Sequence, residues 1–506
     1  MKQNIHYYLC YCLVFIVFLN AQGQGGMGLI LEDETYNTLP AVPMSFATNS
    51  FYEAPSVVSL KKYCPKVVNQ GEIGSCVGWS SGYAAFTIMR AKEENWIDID
   101  QITENAYSAL YIYNQVKIGD CYQGSLFSKA LEFLKLNGDC LSSEFDYPKG
   151  NCDRSPNKAH KIAAERNEYE VRDYFTLYPS NASSSEKINQ VKLSLSESKP
   201  VIIGMAIREN FKELRKDVAF WNPEIGDKTP AGGHAMVVIG YDDKKEAFEV
   251  MNSWSTKWGN DGFFWIKYED FGKQCVYGYQ LLIGKKMIDN DLAGNGANSN
   301  GNIDPFMNPG IKKSVLNLSA EFVFRYPVDY DDEKETVIFE AAQPRYNGHS
   351  YALNCKIGQR FQLLTKKITK DRYVYVFSID ADNKSKIHWP RSEAYNQSFS
   401  GIVEGAIVPY NNVEIVIPGK DKGLIKDKAG KDNLFVLYSY KPIKDLIPKI
   451  EAIQNSQGDY YARLEQAFGE RLVPATDINY GTNMRFSTTS KSGGYIVPIL
   501  LEVNAE

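Results

Sequence analysis

Residues 67–80 read Val67-Val68-Asn69-Gln70-Gly71-Glu72-Ile73-Gly74-Ser75-Cys76-Val77-Gly78-Trp79-Ser80, a polar and glycine-rich loop that ends at a cysteine. The residues that follow, among them Ala84, Ala85 and Met89, predict a helix that begins near Cys76. Unpaired N–H groups at a helix N-terminus favour an anion, so we expect the pKa of the Cys76 thiol to be lowered. Because a thiolate is a nucleophile, Cys76 is a candidate catalytic residue.

A glutamine precedes this cysteine in the same loop. Gln70 lies six residues before Cys76, and the residues between them include two glycines, Gly71 and Gly74. Its side-chain amide could donate to the carbonyl oxygen that Cys76 attacks, beside the backbone N–H of Cys76 itself. Taken alone, the motif is explained about equally well by a buried structural cysteine, because free cysteines are among the most buried residues.

Two further motifs follow much later in the chain. His234 lies in the run Ala231-Gly232-Gly233-His234-Ala235-Met236-Val237, before a predicted buried strand, and Asn252 opens the run Asn252-Ser253-Trp254. An imidazole can pair with a thiolate and protonate the leaving amine, and an asparagine oxygen can orient that imidazole. Trp254 would cover their hydrogen bond. A lone histidine is more often structural. Here, however, Cys76, His234 and Asn252 follow one another along the chain in the order nucleophile, base and orienting residue, which favours a catalytic role for His234.

These motifs resemble those of the papain-like cysteine peptidases, whose pattern is Gln-Gly-x-x-Gly-Ser-Cys, then His-Ala after a small residue, then Asn-Ser-Trp. The resemblance covers roughly residues 55–288. It implies that Cys76 is the nucleophile, His234 the base, Asn252 the orienter and Gln70 the oxyanion donor. It also implies an α+β fold of two lobes, in which a helical half carries Cys76 and a β half carries the base, with the cleft between them.

Four positions depart from the family pattern. Val77 stands where tryptophan is usual, Ile73 replaces a cysteine that is often disulfide-bonded, and Ser255 and Lys257 replace glycines. None of these changes removes a catalytic atom. They change the residues expected to line the cleft, and the expected catalytic chemistry is unchanged.

The resemblance also implies where a substrate lies. Gly124 matches a turn along which the substrate backbone extends, and Gly204 and Gly232 match walls of the pocket for the second side chain before the cut. Gly233 and Trp254 complete the expected substrate-binding set. Because two glycines leave that pocket wide and uncharged, we expect a preference for bulky apolar or aromatic side chains. The alternative is that these glycines only serve backbone turns.

The predicted function is that of a secreted cysteine endopeptidase acting on polypeptide substrates through a thioester. Two alternatives remain: a catalytically idle peptide-binding or scaffold protein, and an acyl transferase that uses the same thioester. The net charge of −5 argues against a nucleic-acid partner. The residues require no cofactor and no metal, and the cysteine spacings match no zinc site.

The N-terminus predicts export. A charged start and an apolar run before Ala21 are typical of a signal peptide over residues 1–21, and place the protein outside the cell or in the periplasm. The alternative is an uncleaved anchor, although the run is short for a membrane span and no other segment is suited to stable membrane insertion. Residues 22–54 form a short segment without the long helical pro-segment that is common in the family.

The cysteine count fits an oxidising compartment. Nine cysteines include Cys10 and Cys12 in the predicted signal peptide, which leaves seven. If Cys76 is the free nucleophile, the other six could pair, and six cysteines allow 15 connectivities, among which the sequence does not choose. These six are Cys64, Cys121, Cys140, Cys152, Cys275 and Cys355.

A second domain is predicted beyond the peptidase region. Residues 289–312 read as a linker rich in asparagine and glycine, and residues 313–506 contain short strand patterns separated by turns. This part resembles an uncharacterised β-rich domain that accompanies bacterial peptidases. We expect a β-sandwich that binds a protein or surface partner, with His349 and His388 in structural roles.

Overall fold

The computed structural model describes residues 27–42, 54–146, 152–216, 220–286, 316–331, 336–348, 350–392, 403–419, 422–482, 484–489 and 493–505. The predicted signal peptide, the predicted linker and His349 lie outside the described residues. Among the described residues, none of the helices is long and apolar enough to cross a membrane.

The first part of the chain contains most of the helices. They are α1 (Asp33–Thr38), α2 (Cys76–Gly78), α3 (Thr87–Glu93), α4 (Ile99–Glu104), α5 (Ala109–Val116), α6 (Phe127–Asn137), α7 (Lys158–Arg166), α8 (Ser184–Ser196) and α9 (Tyr268–Gln274). A π-helix over Trp79–Phe86 joins α2 to α3, so residues 76–93 form one continuous helix.

That continuous helix is packed tightly at its start. Cys76, Val77 and Gly78 are all buried, and so is every residue of the π-helix. A Cβ added at Gly78 would lie 2.2 Å from the backbone oxygen of Ala109. Glycine therefore lets the helix that carries Cys76 rest directly on α5, which fixes the position of the sulfur.

One sheet forms the other half of this region. Its strands are β1 (Val57–Ser59), β2 (Tyr169–Thr176), β3 (Val201–Arg208), β4 (Phe220–Trp221), β5 (Pro230–Asp242), β6 (Ala247–Met251), β7 (Phe263–Lys267) and β8 (Cys275–Lys285). The order is β2-β8-β3-β5-β6-β7-β4, with β1 paired to β5. Only the β4–β7 pair is parallel among these pairings. The expected division into a helical half and a β half is confirmed.

The second part of the chain is β-rich, as predicted. Its strands are β9 (Ser319–Asp331), β10 (Thr336–Ala341), β11 (Arg345–Tyr346), β12 (Tyr351–Cys355), β13 (Arg360–Lys367), β14 (Tyr373–Ile379), β15 (Ser385–Trp389), β16 (Val416–Ile417), β17 (Leu424–Ile425), β18 (Gly430–Ser439), β19 (Ile478–Tyr480), β20 (Arg485–Thr488) and β21 (Ile496–Ala505). Two helices, α10 (Leu446–Asn455) and α11 (Tyr460–Phe468), lie between β18 and β19 in the sequence.

These strands form two sheets. One has the order β16-β13-β9-β20-β19, with β10 on β9 and β17 on β13, and the other has the order β11-β12-β21-β18-β14-β15. Their faces meet through aromatic contacts such as Tyr438 on Phe486, with ring centroids 5.5 Å apart. Both sheets therefore contribute to one apolar core, which is the arrangement expected of a sandwich.

The two parts of the chain contact one another. The buried Lys199 donates to the backbone oxygen of Pro409, and its ammonium lies 4.3 Å from the ring centroid of Tyr410. The hydroxyl of Tyr410 in turn donates to the side chain of Gln280 on β8. Burial lowers the pKa of Lys199 to about 8. The peptidase region and the β-rich region are thus joined by buried polar contacts.

Candidate active site

The nucleophile candidate lies where the sequence predicts it. Cys76 is the first residue of α2 and has no exposed surface. The preceding loop is shaped by Gly71, which has a φ of +71°, and by Gly74. A Cβ at Gly74 would lie 2.8 Å from the backbone nitrogen of Gly124, so this loop packs directly on the predicted substrate wall.

The histidine and the asparagine come together through the sheet. His234 lies within β5, Asn252 directly follows β6, and the register places Val237 opposite Met251. The antiparallel pairing therefore brings the two side chains to the same end of the strands. His234 Nε2 lies 2.7 Å from Asn252 Oδ1, and both residues are buried.

The protonation of the imidazole follows from this bond. Asn252 Oδ1 also accepts from the backbone N–H of Ser253 at 2.8 Å, which identifies it as the amide oxygen. His234 Nε2 must then be the donor, so neutral His234 carries its proton there. Its Nδ1 has no hydrogen-bond partner among the described residues. That nitrogen is available to accept a proton.

Trp254 packs against the imidazole of His234. Its ring centroid lies 4.8 Å from that of His234, at an interplanar angle of 33°. Phe211 extends the aromatic cover, with its ring centroid 5.4 Å from that of Trp254. Because apolar rings exclude water, the His234–Asn252 hydrogen bond is protected from competition.

Gln70 is held in place by two hydrogen bonds. Its Nε2 donates to the backbone oxygen of Ile73 at 2.9 Å, and its Oε1 accepts from Ser253 Oγ at 2.5 Å. The residue is 5% exposed, so the amide is fixed in a buried loop. Its role as an oxyanion donor remains a prediction. Its hydrogen bond to Ser253 connects the loop before Cys76 to the loop that contains Asn252.

The sequence analysis missed what fills the cleft. Residues 28–30 run between the two halves as an extended strand. Leu29 donates its backbone N–H to Gly233 O at 3.2 Å, and Ile30 donates to Ser125 O at 3.2 Å. Ser125 donates back to Gly28 O at 2.8 Å. This segment has no helical periodicity, so no sequence pattern indicated it.

Three of the predicted substrate-binding glycines contact this strand. A Cβ at Gly124 would lie 2.0 Å from Gly28 O, and one at Gly233 would lie 2.4 Å from Leu29 O. A Cβ at Gly204 would lie 2.7 Å from Leu29 Cδ2. Each glycine is therefore needed for the close approach of an extended backbone or its side chain.

Gly232 has a different setting. Its φ is +135°, and among the described residues a Cβ there would have just Met27 Sδ within 4 Å, at 3.9 Å. The position therefore borders Met27 and not the Leu29 side chain. Its conformation gives it a backbone reason to be glycine, which is the alternative that the sequence left open.

The Leu29 side chain lies in an apolar pocket. Besides Gly204, the neighbours are Tyr277 and Phe127, which would lie 3.1 Å and 3.2 Å from a Cβ at Gly204. Apolar atoms of Leu29, Tyr277 and Phe127 therefore surround the position that a Cβ at Gly204 would take. Sequence reasoning did not find Phe127, Tyr277 or Ser125 as site residues. Ser125 and Phe127 follow the predicted Gly124 turn closely but belong to no motif, and Tyr277 lies beyond the last motif.

The occupying segment is anchored beyond the cleft. Glu32 accepts from the backbone N–H and the hydroxyl of Ser128, at 2.8 Å and 2.5 Å. The buried Tyr36 donates to Tyr178 O at 2.7 Å and stacks on Tyr277 with ring centroids 4.5 Å apart. These contacts hold residues 28–30 in place from one end.

The same segment reaches the β-rich region. Val42 donates to Thr176 O at 3.0 Å, and Thr176 donates to Pro40 O at 2.9 Å. Ala41 donates to Val403 O at 2.8 Å. Residues 40–42 therefore lie between the last residue of β2 and the β-rich region, bonded to both.

The electrostatics of the site differ from the prediction. Burial raises the pKa of the Cys76 thiol to about 11, against the opposing effect of backbone hydrogen bonds that include those of Ala235, Gly28 and Val77. Burial also lowers the pKa of His234 to about 4. The expected lowering of the thiol pKa is therefore wrong for this structure: with the cleft filled, the loss of water outweighs the helix N-terminus.

One disulfide is present among the described residues. It joins Cys121 to Cys152 across a sequence separation of 31 residues. The other predicted partners are free, namely Cys64, Cys140, Cys275 and Cys355, as is Cys76. Of the six cysteines that could pair, only two do. The disulfide begins beside the Gly124 turn and braces that wall of the cleft.

The comparisons with known proteins identify this region. Residues 55–282 match the family model described as papain family cysteine protease. Residues 55–282 are a papain family cysteine protease domain. The papain-like fold predicted from the motifs is confirmed, and the domain belongs to the class of enzymes that hydrolyse peptide bonds with a cysteine nucleophile.

Individual relatives are distant. The papain family domain is similar to an uncharacterised peptidase C1-like protein of Acanthamoeba polyphaga mimivirus, 24% identical over 44% of this chain and 70% of that protein. It is also similar to procathepsin L of Felis catus, 24% identical over 43% of this chain and 62% of that protein. The chain spans 59% of Peptidase 1 of Psoroptes ovis, at 24% identity.

Solved structures of cysteine proteases are also similar. The structure of xylellain, a cysteine protease from Xylella fastidiosa, is 22% identical and covers 51% of this chain and 97% of its own, with a TM-score of 0.43. The β-rich region lies outside the residues that the family model matches.

Proposed function

We propose that this protein is a secreted cysteine endopeptidase that acts through Cys76, His234 and Asn252. The observation that carries the proposal is the 2.7 Å contact between His234 Nε2 and Asn252 Oδ1, which leaves Nδ1 as a proton acceptor. Such an acceptor is what a cysteine nucleophile needs to become a thiolate. The papain family match of residues 55–282 supports the same class.

The proposed reaction has two halves. His234 Nδ1 takes the thiol proton, and the Cys76 sulfur attacks the peptide carbonyl carbon. The resulting oxyanion accepts from the Cys76 backbone N–H and from Gln70. The C–N bond then breaks as His234 returns the proton to the leaving amine, which leaves a thioester. Water, deprotonated by His234, attacks the thioester, and Cys76 recovers its proton as the acid departs.

Activity requires that residues 28–30 leave the cleft. A substrate backbone would need the same partners, Gly233 O and the backbone groups of Ser125, that this strand uses. We therefore propose that the described state is inhibited by the chain's own N-terminal segment. Departure of the segment would hydrate Cys76 and His234, lower the thiol pKa and favour the ion pair.

The occupant supports a proposed specificity. Leu29 places an apolar side chain against Gly204, Phe127 and Tyr277. The proposed substrates are polypeptides with a bulky apolar residue, such as leucine, in this pocket. Discrimination among apolar residues is expected to be modest, because one methylene contributes only about 1–3 kcal/mol.

The filled cleft also favours a second candidate function. A protein whose thiol and imidazole are both neutral, and whose groove holds an extended strand, could serve as a catalytically idle peptide-binding protein. The two candidates differ in one property: only the peptidase turns over peptide after the strand is displaced.

Export is part of the proposal. The predicted signal peptide and the Cys121–Cys152 disulfide both support an oxidising compartment outside the cytoplasm. Intact-mass analysis of the exported protein is expected to give a chain that starts near Gln22 with this disulfide formed. A chain that retains Met1, or one without a disulfide, would contradict this part.

Labelling with an epoxide inhibitor of thiol peptidases tests the catalytic assignment. We expect modification of Cys76 alone, mapped by peptide mass analysis, in the full chain after displacement of residues 28–30. The variant Cys76→Ser is expected to take up no label. The variant Cys355→Ser, which changes a free cysteine that is half-buried, is expected to be labelled as the wild-type chain is. A label on any other cysteine would overturn the assignment.

A further inference from the structure

The β-rich region contains a large cavity that the proposed function does not use. It has a volume of about 810 Å³ and lies between the two sheets. Phe324 and Phe361 line it from β9 and β13, and Ser378 and Leu434 line it from β14 and β18. Side chains normally fill the space between packed sheets, so an opening of this size departs from ordinary packing. The volume lies within the range of small-molecule pockets.

Both sheets contribute apolar side chains to the wall of this cavity, beside its polar ones. The rings of Phe324 and Phe361 stack with centroids 4.8 Å apart on one wall. Ile387, Leu434 and Val503 line it from the other sheet. This part of the wall suits the apolar body of a ligand, because burying polar groups against it without partners is unfavourable.

Four cationic side chains line the same cavity without ion-pair partners among the described residues. They are Arg360, Lys384, Lys386 and Lys422, all exposed. Two other cations of the lining are already paired, Lys426 with Asp432 at 2.8 Å and Arg391 with Glu404.

Few carboxylates are left to balance these cations. Two acids of the lining remain, Asp380 and Asp427. Asp380 already accepts from the backbone N–H groups of Asp382 and Lys384. Four cations against two carboxylates leave positive charge in excess at the cavity, which favours an anion.

A histidine is among the polar residues that line the cavity. His388 lies on β15, with Nε2 2.8 Å from Ser378 Oγ on β14. Burial and the neighbouring Lys386 lower the pKa of His388 to about 3, so the imidazole is neutral near pH 7. It therefore adds hydrogen-bonding capacity to the cavity without adding charge.

We propose that this cavity binds a small amphiphilic anion, a molecule with an apolar chain or ring and a single carboxylate, sulfonate or phosphate group. The apolar body lies between the stacked Phe324 and Phe361 and the side chain of Leu434. The anionic group contacts Arg360 and Lys386. This site is separate from the Cys76 cleft and does not depend on the proposed peptidase activity.

Fluorescence titration of the full chain with anilinonaphthalene sulfonate tests the proposal. This probe has the required aromatic body and anionic group. We expect saturable binding at one site, with a Kd that rises with ionic strength because salt screens the cations. The double variant Arg360→Ala/Lys386→Ala is expected to raise the Kd by roughly tenfold. Both side chains are exposed, so the fold is expected to persist, and circular dichroism checks this.

The matched control is Lys356→Ala/Lys444→Ala, which removes two exposed cations of the same region that do not line the cavity. It is expected to bind the probe as the wild-type chain does. Laurate should displace the probe, and the uncharged dodecanol should not. Absence of saturable binding, equal binding by the two double variants, or equal displacement by dodecanol would each overturn the proposal.

Discussion

Burial holds the proposed catalytic residues in a neutral state. Cys76 and His234 have no exposed surface, and their pKa values move apart, the thiol upward and the imidazole downward. Local sequence motifs pointed to these residues, and their catalytic roles remain a proposal. The motifs could not predict their protonation, because that depends on Gly28 and Leu29, which lie far from these motifs in the chain.

The pH dependence of thiol reactivity is the first prediction. Burial raises the pKa of Cys76 to about 11, so the thiolate fraction in the intact chain is small at pH 7 and keeps rising up to pH 10. We expect the rate of Cys76 alkylation by iodoacetamide to rise over this whole range. Displacement of residues 28–30 should move the midpoint to lower pH. A plateau below pH 8 in the intact chain would contradict this account.

The second prediction concerns Gln70. Replacement Gln70→Ala removes a proposed oxyanion donor, and kcat is expected to fall by about 10²–10³, with KM changed much less. The control Gln115→Ala changes an exposed glutamine on α5 and should leave kcat unaltered. Because Gln70 also bonds Ser253, circular dichroism must show an intact fold. A rise in KM alone would assign Gln70 a structural role.

At the scale of elements, local sequence patterns predict helices and strands, whereas segments defined by contacts distant in sequence escape such prediction. The helix at Cys76 and the strands near His234 and Asn252 follow from local patterns, and the structure confirms them. The strand at residues 28–30 is defined by partners such as Ser125 and Gly233, which are distant in sequence. Such pairing leaves no periodic signal, so this part of the site could not be predicted.

Displacement of that strand gives the third prediction. Replacement Leu29→Asp places a carboxylate against Phe127 and Tyr277, which costs several kcal/mol. We expect the strand to leave the cleft and peptide turnover to rise at least about tenfold over the intact chain. The control Leu31→Asp changes a side chain that is 48% exposed and should not activate. Equal effects of the two variants would rule out a blocking role for Leu29.

At the scale of the whole molecule, few covalent links support the fold. The Cys121–Cys152 disulfide is the only one among the described residues, while the contacts between the peptidase and β-rich regions are non-covalent. The sequence predicted a β-rich second region correctly. It did not predict which cysteines pair or how the N-terminal segment bridges both regions, because both features depend on tertiary packing.

The fourth prediction concerns this disulfide. A crosslink over 31 residues stabilises a protein by about 3–4 kcal/mol in the chain-entropy model. The double variant Cys121→Ser/Cys152→Ser is therefore expected to lower the Tm of the peptidase region by roughly 5–15 °C in calorimetry. Replacement Cys355→Ser, at a free cysteine, should leave it unchanged. Equal Tm values for the double variant and the wild-type chain would show that the disulfide adds nothing.

Peptide hydrolysis in the opened chain decides whether Cys76 is the nucleophile of a peptidase. The substrate is a blocked peptide with leucine as the second residue before the cut, and the two proteins are Leu29→Asp and Leu29→Asp/Cys76→Ala. The first is expected to release product continuously, and the second to release none above the buffer rate. Equal turnover by both proteins would show that Cys76 is not the nucleophile, and no turnover by either would favour the peptide-binding function.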